Sequence, residues 1–525
     1  MPKVLIADKL SPAAVEVFAA RGVETDLRPG MSQDELILTV GDYDGLAVRS
    51  ATKVTAEVLE AGTNLKVVGR AGIGIDNIDL AAATARGVVV MNTPFGNSVT
   101  TAEHTIALML ALAREIPAAD RSTRAGRWEK SRFMGVELAG KVLGLIGCGN
   151  IGSIVAGRAQ GLRMHVIAYD PYLAPERARD LGVEKVELDA LLARADFISL
   201  HTPLNEGTRD ILSAGALART RRGVRVINCA RGGLIDERAL FEAIRSGHVA
   251  GAALDVFETE PARESPLFGL DQVVVTPHLG AATAEAQENV AIQIAEQMAD
   301  YLTTGAVINA LNMASVSAEE APKLRPYMRL AEQLGSFAGQ LTESGLMGAT
   351  ITYAGEAAGL NHRPLTATVL MGLLRPLLTS VNMVNAPLIA RERNIDVTIV
   401  ERERVDGYRT LIDLTVQTER GLRNVAGTLF QGERPRVVEI RGIPIEAQLG
   451  PHTLYIRNLD KPGFIGALGT ALGDAGINIA TFHLGRSGPG GDAIALIEVD
   501  QPVPEGVLRA ICELPHVVQV KALSF

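Results

Sequence analysis

The chain has 525 residues, with 51 Lys plus Arg against 60 Asp plus Glu and a formal net charge of −9. At about 150 residues per domain, this length predicts three or four domains and excludes a peptide-sized or disulfide-stapled scaffold. The acidic balance gives no global basis for binding nucleic acid or anionic lipid. Three scattered cysteines, Cys148, Cys229 and Cys512, fit a reducing compartment, and the apolar stretch 105–113 is too short to span a bilayer. We therefore expect a cytoplasmic protein without a membrane or nucleic-acid partner.

Short β-rich runs alternate with helical patterns over the first hundred residues. Strands are predicted at residues 4–7, 45–48 and 67–68, and helices near 13–20 and 54–61. This alternation indicates βαβ units and a parallel sheet, which the 53 glycines and the 4% aromatic content also favour. After Asn97 a long apolar helix, residues 101–113, leads to a basic loop.

A second β/α series begins at residue 142. Its six predicted strands lie at residues 142–146, 166–169, 197–200, 224–227, 251–254 and 273–275. Six strands with intervening helices form a complete doubly wound sheet. The helix predicted at 284–301 then carries the chain back to pack on the first domain, which makes that domain discontinuous.

The rest of the chain begins at a polar stretch without periodic pattern, residues 313–317, which predicts a linker. The region 317–450 has no catalytic motif; its predicted elements are helices at 327–341 and 365–381 and strands such as 408–414. The last segment has the order β-α-β-β-α-β, with elements at 453–457, 463–475, 479–485, 493–499, 505–512 and 517–520. This order places two helices on one face of an antiparallel sheet.

A glycine-rich run, GCGNIG at 147–152, directly follows a predicted strand and opens a helix, and Asp170 ends the next strand 18 residues beyond the last glycine. The glycines permit a tight turn, close approach of a pyrophosphate and close helix packing, while the helix N-terminus offers N–H donors. The Asp170 carboxylate would accept hydrogen bonds from ribose hydroxyls and repel a 2′-phosphate. The pattern predicts NAD rather than NADP; the alternative is a glycine-rich turn that Asp170 merely caps.

Three polar segments each follow a later strand, at residues 228–233, 255–261 and 276–280. Each falls at the carboxyl edge of a parallel sheet, where this architecture binds ligands. Arg231 offers a fork for a carboxylate and a carbonyl oxygen, His278 can accept a hydroxyl proton near neutral pH, and Glu260 can hold the imidazole. Hydride transfer from a hydroxy acid needs these three roles, although each residue alone would be an ordinary surface charge or structural histidine.

The chain resembles the D-isomer-specific 2-hydroxyacid dehydrogenases over residues 1 to about 310, and the long-form D-3-phosphoglycerate dehydrogenases among them over nearly all its length. The resemblance is carried by GRAGIGIDN at 69–77, NTP with GNS at 92–98, and the stretches 228–231 and 252–257. It implies that Arg231 binds and polarises the substrate, that His278 is the acid/base and that Glu260 is its partner. The implied cofactor contacts are Gly147, Gly149, Asn150, Ile151, Gly152, Asp170, Thr202, Cys229, Ala230, Asp255, Gly280 and Ala281.

A phosphorylated substrate would need cations near the cleft between the first two domains. Arg49 and Arg70 follow first-domain strands, and guanidinium forks suit a phosphate. In similar enzymes cations of the basic run 121–132 reach across a dimer interface. The implied substrate contacts are Arg49, Ser50, Arg70, Gly72, Ile73, Gly74, Asn97, Lys130 and Arg132. Ile73 stands where some relatives have Thr, so only a backbone contact to the cofactor remains there.

The C-terminal region resembles an ACT regulatory domain through NLDKPG at 458–463 and GINI at 476–479. Asp460 near a helix N-terminus, with Asn478 starting a strand alongside, offers an acceptor for the ammonium and a donor for the carboxylate of an amino acid. Together with Asn458 these are the expected regulatory contacts for L-serine, in a pocket completed across a subunit interface; the alternative is a bare turn. Asn458 stands where some relatives have His or Tyr.

The expected fold class is α/β, with two doubly wound Rossmann-like domains, an α+β intervening domain and a βαββαβ ferredoxin-like ACT domain. The expected domains are a substrate-binding domain (1–97 and 282–313), an NAD-binding domain (98–281), an intervening domain (314–451) and the ACT domain (452–525).

The resemblance implies NAD-dependent oxidation of D-3-phosphoglycerate to 3-phosphohydroxypyruvate in L-serine biosynthesis, by a homotetramer without a metal. One alternative is a dehydrogenase of another 2-hydroxy acid, such as 2-hydroxyglutarate or glyoxylate. A second is a non-catalytic NAD-sensing protein like some transcriptional corepressors, against which the presence of Arg231, Glu260 and His278 argues.

Overall fold

The computed structural model describes residues 1–316, 320–404 and 407–525, and these form four β-sheets with their helices. No helix in the described ranges is both long and apolar enough to cross a membrane. The α/β class with two parallel sheets, a mixed sheet and a C-terminal antiparallel sheet is the one expected.

The first sheet has five parallel strands in the order β2-β1-β3-β4-β5. Its elements are β1 (Lys3–Ile6), α1 (Pro12–Ala20), β2 (Glu24–Leu27), α2 (Gln33–Thr39), β3 (Gly45–Val48), α3 (Ala56–Ala61), β4 (Val67–Arg70), α4 (Leu80–Arg86) and β5 (Val89–Asn92). The three predicted strands are confirmed, and β2 and β5 were missed. Strand β2 is a polar edge strand that pairs on one side, so its sequence lacks an apolar pattern.

The second sheet has seven parallel strands in the order β12-β11-β10-β9-β6-β7-β8. Its elements are α5 (Ser98–Ala113), α6 (Ile116–Arg124), β6 (Val142–Ile146), α7 (Asn150–Gly161), β7 (His165–Tyr169), α8 (Pro175–Asp180), β8 (Glu184–Lys185), α9 (Leu188–Arg194), β9 (Phe197–Leu200), α10 (Ala214–Arg219), β10 (Val224–Asn228), α11 (Glu237–Arg245), β11 (Val249–Leu254), β12 (Val273–Val275) and α12 (Ala284–Thr304). The prediction of six strands was one short, because β8 has two residues and no periodic pattern.

Helix α12 returns to the first sheet, as predicted. Its Ile294 and Met298 are fully buried in the same hydrophobic core as Ile6 and Val67 of that sheet. The predicted linker is not a free segment: Val316 is buried and pairs with Val307 in an isolated β-bridge. Ser317, the last residue of that prediction, lies outside the described residues.

The third sheet is mixed, in the order β14-β13-β15-β16-β17-β18, and the fourth is antiparallel, in the order β20-β21-β19-β22. Their elements are α13 (Ala321–Gln340), β13 (Leu346–Gly355), α14 (His362–Leu374), α15 (Ala386–Glu392), β14 (Asp396–Arg402), β15 (Thr410–Thr418), β16 (Gly421–Phe430), β17 (Arg434–Ile440), β18 (Ile443–Ala447), β19 (Thr453–Leu459), α16 (Phe464–Asp474), β20 (Ile479–Arg486), β21 (Asp492–Val499), α17 (Glu505–Cys512) and β22 (Val517–Leu523). The predicted βαββαβ order is confirmed.

The helix predicted at 365–381 was wrong at its C-terminal end, since α14 stops at Leu374. Pro376 lies two residues further on and has no backbone N–H to donate a helical hydrogen bond. The third and fourth sheets share one core, in which Phe337 and Tyr455 pack edge to face with ring centroids 5.8 Å apart.

Candidate active site

The cleft for a dinucleotide lies where the strand order of the second sheet reverses, between β6 and β9. Gly147 follows β6 with φ of +92°, and a Cβ built there would lie 2.6 Å from the carbonyl oxygen of His201. At Gly152 a Cβ would lie 2.4 Å from the carbonyl oxygen of Gly147. Because backbone atoms approach this closely at both positions, the turn requires glycine at each and holds α7 against the end of β6.

The predicted ribose acceptor is joined to this turn. The Asp170 carboxylate accepts hydrogen bonds from the backbone N–H groups of Cys148 and Tyr172, each at 2.8 Å. Among the described residues no side chain caps the N-terminus of α7, which begins at Asn150 and Ile151. An uncapped helix N-terminus beside a glycine turn can hold the pyrophosphate of a dinucleotide.

The candidate acid/base pair is in direct contact. His278 Nδ1 donates to Glu260 Oε2 at 2.6 Å, and Glu260 Oε1 accepts from the backbone N–H of Phe257 at 3.1 Å. The hydrogen bond to Glu260 raises the pKa of His278 above its usual value, against the effect of burial. Burial would raise the pKa of Glu260, but its bonds to His278 and Phe257 bring it below the usual range. The pair therefore holds the imidazole with Nε2 free to exchange a proton.

The loop that carries His278 is anchored by Asp255, whose side chain is 0% exposed. Its carboxylate accepts from Thr276 Oγ1 at 2.5 Å and from the backbone N–H groups of Leu279 and Gly280 at 2.7 and 2.8 Å. Helix α5 adds His104, whose Nε2 lies 3.2 Å from Asp255 Oδ1. The sequence pointed to Asp255 as a cofactor contact and overlooked His104; the structure gives the Asp255 carboxylate four partners within the protein.

The remaining cofactor candidates are grouped at the carboxyl edge of the second sheet. Cys229 and Ala230 directly follow β10, and Thr202 comes two residues after β9. The Ala230 N–H donates to Asn228 Oδ1 at 3.0 Å, and Gly280 and Ala281 follow the His278 loop. Burial raises the pKa of the Cys229 thiol to about 12, so this cysteine is a small apolar side chain rather than a nucleophile.

Arg231, which follows a strand of the second sheet, reaches across to the loop after β4 of the first sheet. Its Nε donates to Asp76 Oδ2 at 3.0 Å, and its Nη1 donates to the carbonyl oxygen of Ala230 at 2.6 Å. A Cβ at Gly74 would lie 1.8 Å from Arg231 Nη2, so the loop is shaped to admit the guanidinium. Asp76 lay inside the quoted motif, yet no role was predicted for it from sequence because its partner is distant along the chain.

Two further arginines lie in the same cleft. Burial and the nearby positive charge of Arg231 lower the pKa of Arg70 to about 10, and Arg49 acts in the same direction. Among the described residues, the buried Nε atom of Arg70 has no hydrogen-bond partner, and neither does Oδ1 of Asn97. Like charges held together, with a buried Arg70 N–H that lacks a partner among the described residues, make a site that an anionic ligand would complete.

The loop after β3 is held by residues that sequence reasoning missed. Asp8 Oδ2 accepts from the backbone N–H of Arg49 at 2.6 Å, and Asn77 Nδ2 donates to the carbonyl oxygen of Arg49 at 2.7 Å. Ser50 is exposed at the same loop. On the loop after β4, Ile73 uses its carbonyl oxygen to accept from Asn92 Nδ2 at 2.6 Å.

The basic segment is engaged within its own chain. Arg132 Nη2 donates to Asp271 Oδ2 at 3.0 Å, and Arg132 Nη1 lies 3.2 Å from Glu129 Oε2. Arg121 pairs with the other oxygen of Asp271 at 3.1 Å. Lys130 is exposed on the same loop. The structure therefore does not bring these cations together with Arg49 and Arg70.

The predicted regulatory residues do not meet within one chain, and the expectation that Asn478 lies alongside Asp460 was wrong. Asp460 accepts from Arg486 Nη1 at 2.9 Å and from the Gly490 N–H at 3.1 Å, next to Leu459 at the end of β19. Asn478 precedes β20 and donates to Asp500 Oδ2 at 2.8 Å. Because β21 pairs Asp492 with Leu459 and Val499 with Ile479, seven rungs separate the two sites, about 23 Å.

Asn458 lies beside Asp460 but points inward. It is buried, its Nδ2 donates to the carbonyl oxygen of Leu459 at 2.9 Å, and its Oδ1 has no partner among the described residues.

Three family profiles match the chain. They are the D-isomer specific 2-hydroxyacid dehydrogenase NAD binding domain over residues 106–280, the D-3-phosphoglycerate dehydrogenase intervening domain over 323–441 and the ACT domain over 452–516. Among solved structures, a glyoxylate reductase from Paecilomyes thermophila is 30% identical, with a TM-score of 0.55 over 59% of this chain and 98% of its own.

Curated relatives match the whole chain. The D-3-phosphoglycerate dehydrogenase of Archaeoglobus fulgidus is 42% identical over 98% of each chain, and that of Methanocaldococcus jannaschii is 41% identical over 100% of each. The resemblance inferred from the motifs is thereby confirmed. The chain belongs to the D-3-phosphoglycerate dehydrogenases, a branch of the D-isomer specific 2-hydroxyacid dehydrogenase family.

Proposed function

We propose that this chain oxidises D-3-phosphoglycerate to 3-phosphohydroxypyruvate with NAD, the first committed step of L-serine biosynthesis. The observation that carries the proposal is the cluster of Arg49, Arg70 and Arg231 in one cleft, together with the His278–Glu260 pair. The substrate has an anion at each end and a hydroxyl between. The cleft offers guanidinium groups for the anions and a base for the hydroxyl.

The proton is handled by His278. Since Nδ1 is bound to Glu260, the free Nε2 takes the hydroxyl proton, and the Glu260 carboxylate stabilises the imidazolium that results. Arg231 holds the substrate carboxylate and polarises the oxygen that becomes the carbonyl. NAD, when bound, accepts the hydride from C2. The turn at Gly147 with Asp170 and the start of α7 are the residues proposed to hold that cofactor.

Arg49, Ser50, Arg70 and Asn97 are proposed to bind the phosphorylated end. The Arg70 Nε–H, which has no partner among the described residues, supports this, because a buried donor without a partner is costly unless a ligand oxygen satisfies it. The same observation favours D-3-phosphoglycerate over unphosphorylated acids such as glyoxylate, the substrate named for the structural relative.

A turnover assay of the purified full-length chain with NAD tests the proposal. Across D-3-phosphoglycerate, D-2-hydroxyglutarate and glycolate, we expect the phosphorylated acid to give the highest kcat/KM. Arg70→Ala should lower that value about a hundredfold and affect the other acids far less, since a lost charge-assisted bond costs about 1.5–3 kcal/mol. The control is Arg86→Ala, which removes an exposed guanidinium bound to the Glu60 carbonyl oxygen.

Two results would contradict the proposal. Preferred turnover of an unphosphorylated acid would show that the chain is a dehydrogenase of another 2-hydroxy acid. Binding of NAD without turnover of any acid would indicate a non-catalytic NAD-sensing protein.

Regulation and assembly form the finer part of the proposal. We propose that the chain divides into the four domains expected from sequence and works in the cytoplasm as a homotetramer. L-serine is the proposed effector, and Lys130 and Arg132 are proposed to serve a neighbouring active site. Because Asp460 and Asn478 lie at opposite ends of one sheet, a shared serine pocket would need Asp460 from one chain and Asn478 from another.

A further inference from the structure

The guanidinium of Arg231 is already occupied by a carboxylate of the same chain. Asp76 Oδ2 accepts from Arg231 Nε at 3.0 Å, and the two side chains are 70% and 27% exposed. Within the described residues this is the one side-chain hydrogen bond that Asp76 makes. An exposed carboxylate with a single partner can rotate away without breaking any other contact.

The bond to Asp76 uses the edge of the guanidinium that a ligand would need. Nε–H and Nη2–H point the same way and form the side-on prong that binds a carboxylate with two parallel hydrogen bonds. Nη1 is turned away, donating to the Ala230 carbonyl oxygen at 2.6 Å. A Cβ at Gly74 would lie 1.8 Å from Nη2 and 2.8 Å from Asp76 Oδ2, so the missing side chain at this position makes room for the pair.

A substrate carboxylate and Asp76 therefore compete for one prong. We propose that Asp76 is a displaceable internal counter-ion of the anion site, which the substrate carboxylate replaces on Arg231. This inference rests on the proposed function and deepens it by naming a residue that sets the affinity of the site for anions.

The charges around Arg70 indicate what the Asp76 carboxylate contributes to the cleft. Arg231 and Arg49 destabilise the charged form of Arg70, whereas Asp76 stabilises it, so Asp76 offsets part of the repulsion among the three arginines in the cleft. A small anion that engages Arg231 alone must displace this carboxylate. An acid that also reaches Arg70 gains a second set of contacts, so the competition selects against small carboxylates.

The test compares Asp76→Asn with Asp79→Asn in the full-length protein. Both changes remove one carboxylate from the same segment, but Asp79 caps α4 by accepting from the Ala82 N–H at 2.9 Å, and Asn serves equally as a cap. Oxalate with saturating NADH is the binding probe, because it presents carboxylates to Arg231 and has no phosphate. In Asp76→Asn the oxalate Kd should fall about three- to tenfold at low ionic strength, from lost competition and charge.

Kinetics supply the readout that a merely structural role would not produce. For D-3-phosphoglycerate, KM should fall in Asp76→Asn and kcat/KM should not decrease. Asp76→Glu, which keeps the charge, should restore the oxalate Kd to within about twofold of the wild type. Asp79→Asn should leave both the oxalate Kd and KM at wild-type values.

Three results would overturn the inference. An oxalate Kd in Asp76→Asn that is unchanged or raised would show that the carboxylate does not compete. An equal fall of the oxalate Kd in Asp79→Asn would show that the effect comes from net charge alone. A large fall in kcat/KM would show that Asp76 stays on Arg231 to orient it. If the wild type does not oxidise D-3-phosphoglycerate, the proposed function fails, and the oxalate titration still decides the role of Asp76.

Discussion

At the scale of single residues, the proposed acid/base role of His278 predicts that its contact with Glu260 sets the pH dependence of the reaction. In that role neutral His278 is the base in oxidation, so the rate should rise with pH through the pKa of the imidazole. The Glu260 bond raises that pKa. In Glu260→Gln the pKa should fall, and the acidic limb of the kcat/KM profile for oxidation should move to lower pH.

The profile is measured in both directions with the full-length enzyme. For reduction, which needs protonated His278, the alkaline limb should also move to lower pH in Glu260→Gln. His278→Ala should lower kcat by ~10²–10⁴ with NAD binding retained, the usual range for loss of an acid/base group. If the pH profile of kcat/KM does not move in Glu260→Gln, a group other than His278 is responsible for it.

At the same scale, the proposed contact of Asp170 with the cofactor ribose predicts the choice of cofactor. Its carboxylate is held beside the glycine turn by two backbone N–H groups, so it cannot easily turn away from a 2′-phosphate. The wild type should use NAD far better than NADP, and Asp170→Ala should narrow that ratio of kcat/KM by about tenfold or more, since like charges in contact cost several kcal/mol. Equal use of both cofactors by the wild type would refute the assignment.

At the scale of elements, the site depends on two loops meeting at Gly232. A Cβ there would lie 1.9 Å from the carbonyl oxygen of Phe257, so the loop carrying Arg231 packs directly on the loop leading to Glu260. Gly232→Ala should separate them, destabilising the protein by about 1–3 kcal/mol and lowering kcat/KM at least tenfold. Thermal unfolding and steady-state kinetics measure both effects.

Gly215→Ala is the matched control, because a Cβ on that residue of α10 would meet no atom within 4 Å. It should keep wild-type kinetics and equal or greater thermal stability, since Ala favours helix over Gly. Wild-type kinetics and thermal stability of Gly232→Ala would show that the two loops can move apart without loss of stability or activity.

At the scale of the whole molecule, the segment between α14 and α15 packs on the elements of the first sheet at the end of α4. Asn382 Nδ2 donates to the Gly87 carbonyl oxygen at 2.9 Å, and Val384 is buried in the core of the first sheet. The third and fourth sheets share a core of their own. The fourth sheet is therefore joined through packed elements to the first sheet, and a ligand on the fourth sheet acts on the first only if it binds one arrangement better than another.

Mixed oligomers test where such a ligand binds. L-serine binding, measured by calorimetry, should be lost in Asp460→Ala and in Asn478→Ala. If one pocket needs both residues from different chains, each mixed pair isolated from co-expressed chains that carry one change each should regain binding at one of its two pockets. Binding that survives both single changes, or mixed oligomers without recovery, would contradict the shared pocket.

Sequence alone determined the features that depend on near neighbours along the chain. The GCGNIG turn, Asp170 at the next strand end, and Arg231, Glu260 and His278 after successive strands follow from local backbone geometry and the common edge of a parallel sheet. Tertiary structure decided the pairs that span the fold. Asp76 meets Arg231 from 155 residues away and His104 meets Asp255 from another element, because the packing of elements distant along the chain brings them together. Strand register likewise separated Asp460 from Asn478, since antiparallel pairing sends the start of β20 to the far end of the sheet.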